Sequence, residues 1–359
     1  MAFLDYASTC PVVKYPQQLY RDVLGEGYFF NPNANYAYKE KRLLSEAENR
    51  VKKAIGAKGG KVVFGGTSSQ LIENLFTHIY DETNEYLTIC SIYEHDSVWR
   101  FADQWGNIDS LKHVIQTYHG DKQLIVNLMG VNNLTGEIFP AEEIGKLCHE
   151  HNAFYICDMT AMIGHTPIST DIDEWCDCAV WSGHKLGTEL GIGAMWVSDR
   201  LDKWLNGFKL HGTPNLAGAL AMTQAVEDAC DSKTIEKNNA HWEKLANKFD
   251  DLLDRNNIKH TFVPFVLDDY TCAINAIRLF GFNARALQSY LASKEIYIGL
   301  GQSSCADKAD RRVLCQGYGL SEQEADEVIR ISFGEDSNAE DIKVLVENIC
   351  EFKKIYLDN

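Results

Sequence analysis

Between residues 61 and 198, short apolar runs at 62–64, 86–90, 124–129, 154–157, 178–181 and 192–197 alternate with helix-like stretches and glycine-bearing turns. Such a strand–helix rhythm predicts a mostly parallel sheet with helices on both faces. Ahead of it, Leu43, Leu44, Ala47, Val51 and Ala54 recur at helical spacing, and residues 3–6 form a short extended piece before a proline turn. Residues 217–254 are amphipathic and poor in glycine after Gly218, which suits linking helices. Beyond them come strand-like runs at 271–279, 296–299 and 328–332, then a helix over 338–352. Ser337-Asn338 ahead of Glu340-Asp341 marks where that last helix starts. The pattern predicts an α/β protein with a large domain over 13–234 and a smaller C-terminal α/β domain from 1–12 and 235–359. No internal repeat or low-complexity segment interrupts it.

Composition narrows the function classes. The 359 residues are 45% hydrophobic and 24% charged, ordinary for a chain with a large core. A formal net charge of −17, without a long Lys/Arg run, speaks against nucleic-acid or anionic-membrane partners, since either polyanion repels such a surface. No apolar run approaches the roughly 18 residues of a spanning helix. Eleven cysteines, an odd number without a framework spacing, and no secretory signal lead to the expectation of free thiols in a reducing, cytoplasmic setting. Cys176 and Cys178 share one face of a strand-like stretch, but no second pair stands at a zinc-site distance. No metal is expected, and the two thiols read as core.

The most informative segment is Trp181-Ser182-Gly183-His184-Lys185, where a lysine closes a buried run just before a glycine-rich turn. A desolvated amine in such a place is reactive toward an aldehyde. Asp158 ends the apolar run before it. In open parallel sheets, ligands collect at the carboxyl ends of strands, so the two residues can serve one crevice. Taken singly, a strand-end aspartate also serves as a cap and a loop lysine is also simply solvated. Gly65-Gly66-Thr67-Ser68-Ser69 precedes a helical stretch at 71–79, and a helix N-terminus suits a dianion. Cys305 stands in a loop rich in small polar residues, 298–307, where a thiol is accessible.

Eight segments in order carry a family resemblance: Leu4-Asp5-Tyr6-Ala7-Ser8-Thr9-Cys10-Pro11, Phe30-Asn31-Pro32, Glu94-His95-Asp96-Ser97-Val98, Val131-Asn132-Asn133-Leu134-Thr135-Gly136, Asp158-Met159-Thr160, Ser182-Gly183-His184-Lys185, Gly191-Ile192-Gly193-Ala194 and Ile329-Arg330-Ile331-Ser332. Together they resemble the cysteine desulfurases of the class V aminotransferase group, over nearly the whole chain. The resemblance implies the fold of a fold type I transferase dependent on pyridoxal 5'-phosphate. It further implies that Lys185 holds the cofactor aldehyde, Asp158 pairs with the pyridine nitrogen, His95 stacks on the ring and Asn133 lies on the ring hydroxyl side. Thr67, Ser68, Ser69, Ser182 and His184 would hold the phosphate. Thr213 would reach the phosphate of the partner subunit in a homodimer with a shared site. Arg330 would bind the carboxylate of L-cysteine, since a guanidinium fork matches it. Cys305 would take the sulfur as a persulfide, leaving L-alanine, before passing it to an acceptor protein. Cys10 and Cys315 read as structural.

Three positions depart from the family pattern. Ala161 stands where a glutamine usually bonds the ring oxygen, a loss of ~1 kcal/mol for one hydrogen bond. An arginine that usually precedes Gly212-Thr213 is missing, with His211 nearby, and the turn at 67–70 runs one residue longer before Asn74. These departures keep open a class V relative with other chemistry, such as a C–S lyase, a selenocysteine lyase or an aminotransferase. A catalytically dead scaffold for a sulfur-carrier protein is the reading from a different class, and the intact Lys185 and Asp158 speak against it.

Overall fold

The computed structural model describes residues 1–11, 21, 30–82, 85–168, 171–264, 269–301 and 311–358. The chain forms two compact units. One comprises Met1–Cys10, Asn132–Ile138 and Glu236–Asn359, the other Pro11–Val131 and Phe139–Ile235.

The first strand, β1 (Ala2–Leu4), belongs to the smaller unit. The larger unit is built on seven strands: β2 (Lys61–Gly65), β3 (Tyr86–Ser91), β4 (Gln104–Gly106), β5 (Gln123–Asn127), β6 (Phe154–Asp158), β7 (Cys178–Ser182) and β8 (Gly193–Val197). Their order in the sheet is β2-β8-β7-β6-β5-β3-β4. From β7 to β4 every pair is parallel, whereas β8 runs antiparallel to both β7 and β2. Two reversals leave β2 pointing the same way as β7. All five residues of β7 and of β8 are buried, as strands covered on both faces require. On one face the helix Ser68–Glu82 lays Leu71, Ile72, Leu75, Phe76 and Ile79 against Ile125, Ile156, Val180, Met195 and Val197. Burying five such side chains is worth roughly 1.5–3 kcal/mol each before the cost of ordering them. Cys90 and Cys178 sit in that same core, and burial raises the Cys178 thiol far above its ordinary range.

The smaller unit adds β9 (His260–Val263), β10 (Ile274–Leu279), β11 (Ile296–Leu300) and β12 (Val328–Ser332), in the order β1-β11-β12-β10-β9. β1 and β11 pair parallel, and β11–β12, β12–β10 and β10–β9 pair antiparallel. The helix Ala339–Tyr356 starts at a capping box, Asn338 with Asp341. The amphipathic stretch at 217–254 resolves into two helices, Leu216–Cys230 and Ser232–Arg255. Asp231 separates them, its carboxylate accepting from the Thr234 N–H. Residues 132–138 pack with the smaller unit, where Thr271 N–H donates to the Gly136 carbonyl and Ile138 N–H to that of Asp269.

Among the described residues no helix is long and apolar enough to cross a membrane, and no three His, Cys, Asp or Glu side chains are grouped to hold a metal ion.

Candidate active site

Strand direction fixes where the chemistry gathers. The carboxyl ends of β2, β3, β5, β6 and β7 lie on one edge of the seven-stranded sheet. On that edge stand Thr67, Ser68 and Ser69 after β2, His95 after β3, Asp158 closing β6, and Ser182, His184 and Lys185 at and after β7. Thus eight of the expected residues share one edge of one sheet.

Asp158 lies beside Val180 of β7, and the strand exit is pinned where Met159 N–H donates to the Val180 carbonyl at 2.9 Å. One Asp158 carboxylate oxygen accepts from the Thr160 N–H at 2.9 Å, an Asx-type turn that holds the side chain at the strand end. The neighbouring Thr160 hydroxyl is buried without a protein partner. After β7 the chain turns through the short 3₁₀ helix Gly183–Lys185. A Cβ at Gly183 would stand 2.2 Å from Thr188 Oγ1, 2.8 Å from the Met222 methyl and 2.9 Å from Ile192, so a side chain there would displace the neighbours of the turn that presents Lys185. Burial first, and then the Lys185 charge, lower the pKa of His184.

The turn after β2 is equally constrained. Thr67 Oγ1 accepts from the Gln70 N–H at 3.1 Å and the Thr67 carbonyl from the Leu71 N–H, which opens the helix Ser68–Glu82. The first N–H groups of that helix have no intrahelical acceptor, so its N-terminus offers donors to an anion. Gly193 pairs with both Gly65 and Ser182, and a Cβ there would stand 2.9 Å from the Ser68 nitrogen. A cleft of about 710 Å³ continues from Gly65 and Gly66 to residues 209–215, Thr213 among them. Asn31 Nδ2 donates to Thr213 Oγ1 at 3.3 Å and Asn33 Nδ2 to the Gly212 carbonyl at 3.1 Å, fixing that loop from a second segment.

His95 caps the short helix Asp96–Trp99, its Nδ1 accepting from the Ser97 N–H. Glu94, fully buried, accepts from Met129 N–H and Ser91 Oγ, both at 2.7 Å, and so ties the exit of β3 to the exit of β5.

The other expected residues fall in the smaller unit. Arg330, 6% exposed, donates from Nη1 to the Asn133 carbonyl at 2.9 Å and from Nη2 to Asp5 at 2.8 Å and to Ser8. It lies across from Gly299, where a Cβ would stand 2.6 Å from the Asp5 carboxylate and 2.8 Å from Arg330 Nε. Cys305 lies outside the described residues. Cys10 is intermediate in exposure, and its thiol is pushed up to about 12 by burial, with Glu335 and Asp336 adding to the effect. Cys315 sits in the π-helical turn Val313–Gly317.

Two groups escaped notice in the sequence. His165, one turn beyond Ala161, has Nδ1 2.9 Å from the Ala161 carbonyl and takes its proton there. Burial lowers its pKa, and the Lys185 charge acts in the same direction. Tyr318 gathers three side chains of the segment 132–138, Asn132, Thr135 and Glu137. The only trace either left was a polar residue next to a motif.

An aspartate closing β6 and a lysine in the turn just after the parallel strand β7, beside a helix N-terminus, define an α/β enzyme of the fold type I class. The fold is shared with a solved NifS-like protein (TM-score 0.83, 20% identity, 99% of this chain and 100% of the other). It is shared equally with the NifS-like protein from Rickettsia africae ESF-5 (TM-score 0.82, 20% identity, 99% of each chain). Residues 3–345 match the family model described as aminotransferase class-V, and the chain belongs to that family. Among its relatives, cysteine desulfurase IscS of Shewanella sp. (strain MR-4) is 26% identical, over 97% of this chain and 92% of the relative. The putative cysteine desulfurase IscS 1 of Bacillus subtilis (strain 168) is also 26% identical, over 98% of both.

Proposed function

We propose that this chain is a cysteine desulfurase dependent on pyridoxal 5'-phosphate. The observation that carries the reading is the pair Asp158 and Lys185, at the carboxyl ends of the neighbouring strands β6 and β7. Relatives named as cysteine desulfurases, matched over nearly the full chain, support the choice of substrate.

The residues present fit the cofactor: an amine for its aldehyde, a carboxylate for its ring nitrogen, and a hydroxyl-lined helix N-terminus for its phosphate. The buried Thr160 hydroxyl, without a protein partner beside Asp158, fits a polar group brought by a ligand. When bound, pyridoxal phosphate supplies an electron sink that weakens the Cβ–S bond of an attached amino acid. Lys185 would hold the aldehyde, and its Nζ would carry the α-proton. Asp158 would keep the ring nitrogen protonated, and His95 would lie against the ring. Thr67, Ser68, Ser69, Ser182 and His184 would hold the phosphate, with Thr213 serving the partner subunit's phosphate in a homodimer. Asn133 orients the substrate side of the ring, and Arg330 takes the substrate carboxylate. The Cys305 thiolate bonds to the substrate sulfur while the Cβ–S bond breaks, its electron pair staying with carbon. A proton then completes L-alanine, and the sulfur remains as a persulfide for an acceptor protein in the cytoplasm.

The test is product analysis. Purified holoprotein given L-cysteine and a reducing thiol should release sulfide and alanine in equal amounts, and Cys305→Ala should abolish both while cofactor stays bound. Borohydride should fix a pyridoxyl group on Lys185. Pyruvate and ammonia in place of alanine, or undiminished sulfide from Cys305→Ala, would replace this reading with that of a C–S lyase.

A further inference from the structure

The smaller unit carries a polar network that none of the expected roles uses. The Tyr318 hydroxyl lies 2.6 Å from a Glu137 carboxylate oxygen, to which it donates. The Tyr318 hydroxyl oxygen is also 2.9 Å from Thr135 Oγ1 and accepts from Asn132 Nδ2 at 3.2 Å. A phenol has one donor and two acceptor positions, so these three partners saturate it. Asn132 and Thr135 are fully buried, and Asn132 Oδ1 in turn accepts from the N–H groups of Leu134 and Thr135. Burial raises the Glu137 pKa, while the Tyr318 hydrogen bond opposes that rise. The network therefore fixes the backbone on both sides of Asn133. It is the Asn133 carbonyl that accepts from Arg330 Nη1.

We propose that Tyr318 and Glu137 are positioning residues for recognition of the substrate carboxylate. They hold the 132–137 segment in the one conformation that aims the Asn133 carbonyl at Arg330. Asp5 and Ser8 engage Nη2, so the Asn133 carbonyl settles the direction of the Nη1 edge. A guanidinium meets a carboxylate well only in its own plane, so an edge that swings loses affinity for carboxylate alone. The inference rests on the reading that Arg330 takes the substrate carboxylate.

The test is calorimetric binding of L-alanine and of L-alaninamide to the holoprotein, which needs no turnover. Native protein should prefer L-alanine. Tyr318→Phe keeps the ring in its apolar cluster and removes the hydroxyl, and should weaken L-alanine by about tenfold, the worth of one hydrogen bond, with alaninamide unchanged. Glu137→Ala, away from that cluster, should do the same even if Tyr318→Phe folds poorly, and Glu137→Gln, which keeps an acceptor, should restore the preference. A full preference for L-alanine in both Tyr318→Phe and Glu137→Ala overturns the inference and leaves the Arg330 reading intact. Equal affinity of native protein for the two ligands overturns both.

Discussion

Gly193 is where the packing of the sheet and the cofactor site meet most directly. It stands between Gly65 of β2 and Ser182 of β7, and a Cβ added there would lie 2.8 Å from the Thr67 carbonyl carbon, 2.9 Å from the Ser68 nitrogen and 3.2 Å from the Thr67 Cα. All three are backbone atoms, so no side chain can swing aside. Ordinary contact begins near 3.5 Å, so in Gly193→Ala the 67–68 turn must retreat by about 0.7 Å. Overpacking of this kind costs about 2 kcal/mol. In a unit of this size that lowers the melting temperature of the apoprotein by about 4–8 °C. The retreat also moves the first N–H donors of the helix Ser68–Glu82 away from the phosphate position. If it takes a similar 2 kcal/mol from binding, the dissociation constant for pyridoxal phosphate rises about thirtyfold. Scanning calorimetry of the apoprotein and a fluorescence titration with the cofactor read the two effects separately. Gly193→Ala that melts within 1 °C of the native apoprotein and binds cofactor within about twofold would refute both the packing argument and the phosphate assignment.

Two further outcomes follow from buried groups elsewhere in the larger unit. Asp177, 1% exposed in its side chain, accepts from the Tyr155 N–H, Arg200 and Ser198 Oγ, and lies 3.0 Å from His149. Asp177→Ala strands the buried Tyr155 N–H and should cost about 3 kcal/mol in urea unfolding; a loss under about 1 kcal/mol would show that water replaces the carboxylate. Burial, assisted by the Lys185 charge, lowers the pKa of His165 and His184 in the folded apoprotein, whereas the unfolded chain protonates them near pH 6.5. Below that value the unfolded state binds more protons, so their contribution is full above about pH 6.5 and is lost as pH falls through the lowered folded-state values. Apoprotein melting temperatures between pH 7.5 and 5.5 should therefore fall less steeply in His165→Asn than in the native chain, and parallel curves would exclude His165 as a source.

The apolar runs at 154–157, 178–181 and 192–197 announced β6, β7 and β8, because strands buried on both faces are written locally as continuous hydrophobic residues. The short strands β4 and β9 went unmarked: two of the three residues of β4 are exposed and three of the four in β9 are half-buried, so neither needs an apolar run. Lys185 and Asp158 were legible for the same reason as their strands, since each closes an apolar run and the parallel order follows from the rhythm between them.

Sequence alone determined the longer buried elements and the residue types at their ends, since these are set by neighbours a few positions away. Pairings between distant segments were decided only by the tertiary structure. Asp5 meets Arg330 across 325 positions, and Tyr318 meets Glu137 across 181. Residues 132–138, which continue from the exit of β5, pack with the smaller unit. Periodicity records which face of an element is apolar, but a polar group finds its particular partner only once the packed backbone has removed the water that would otherwise satisfy it.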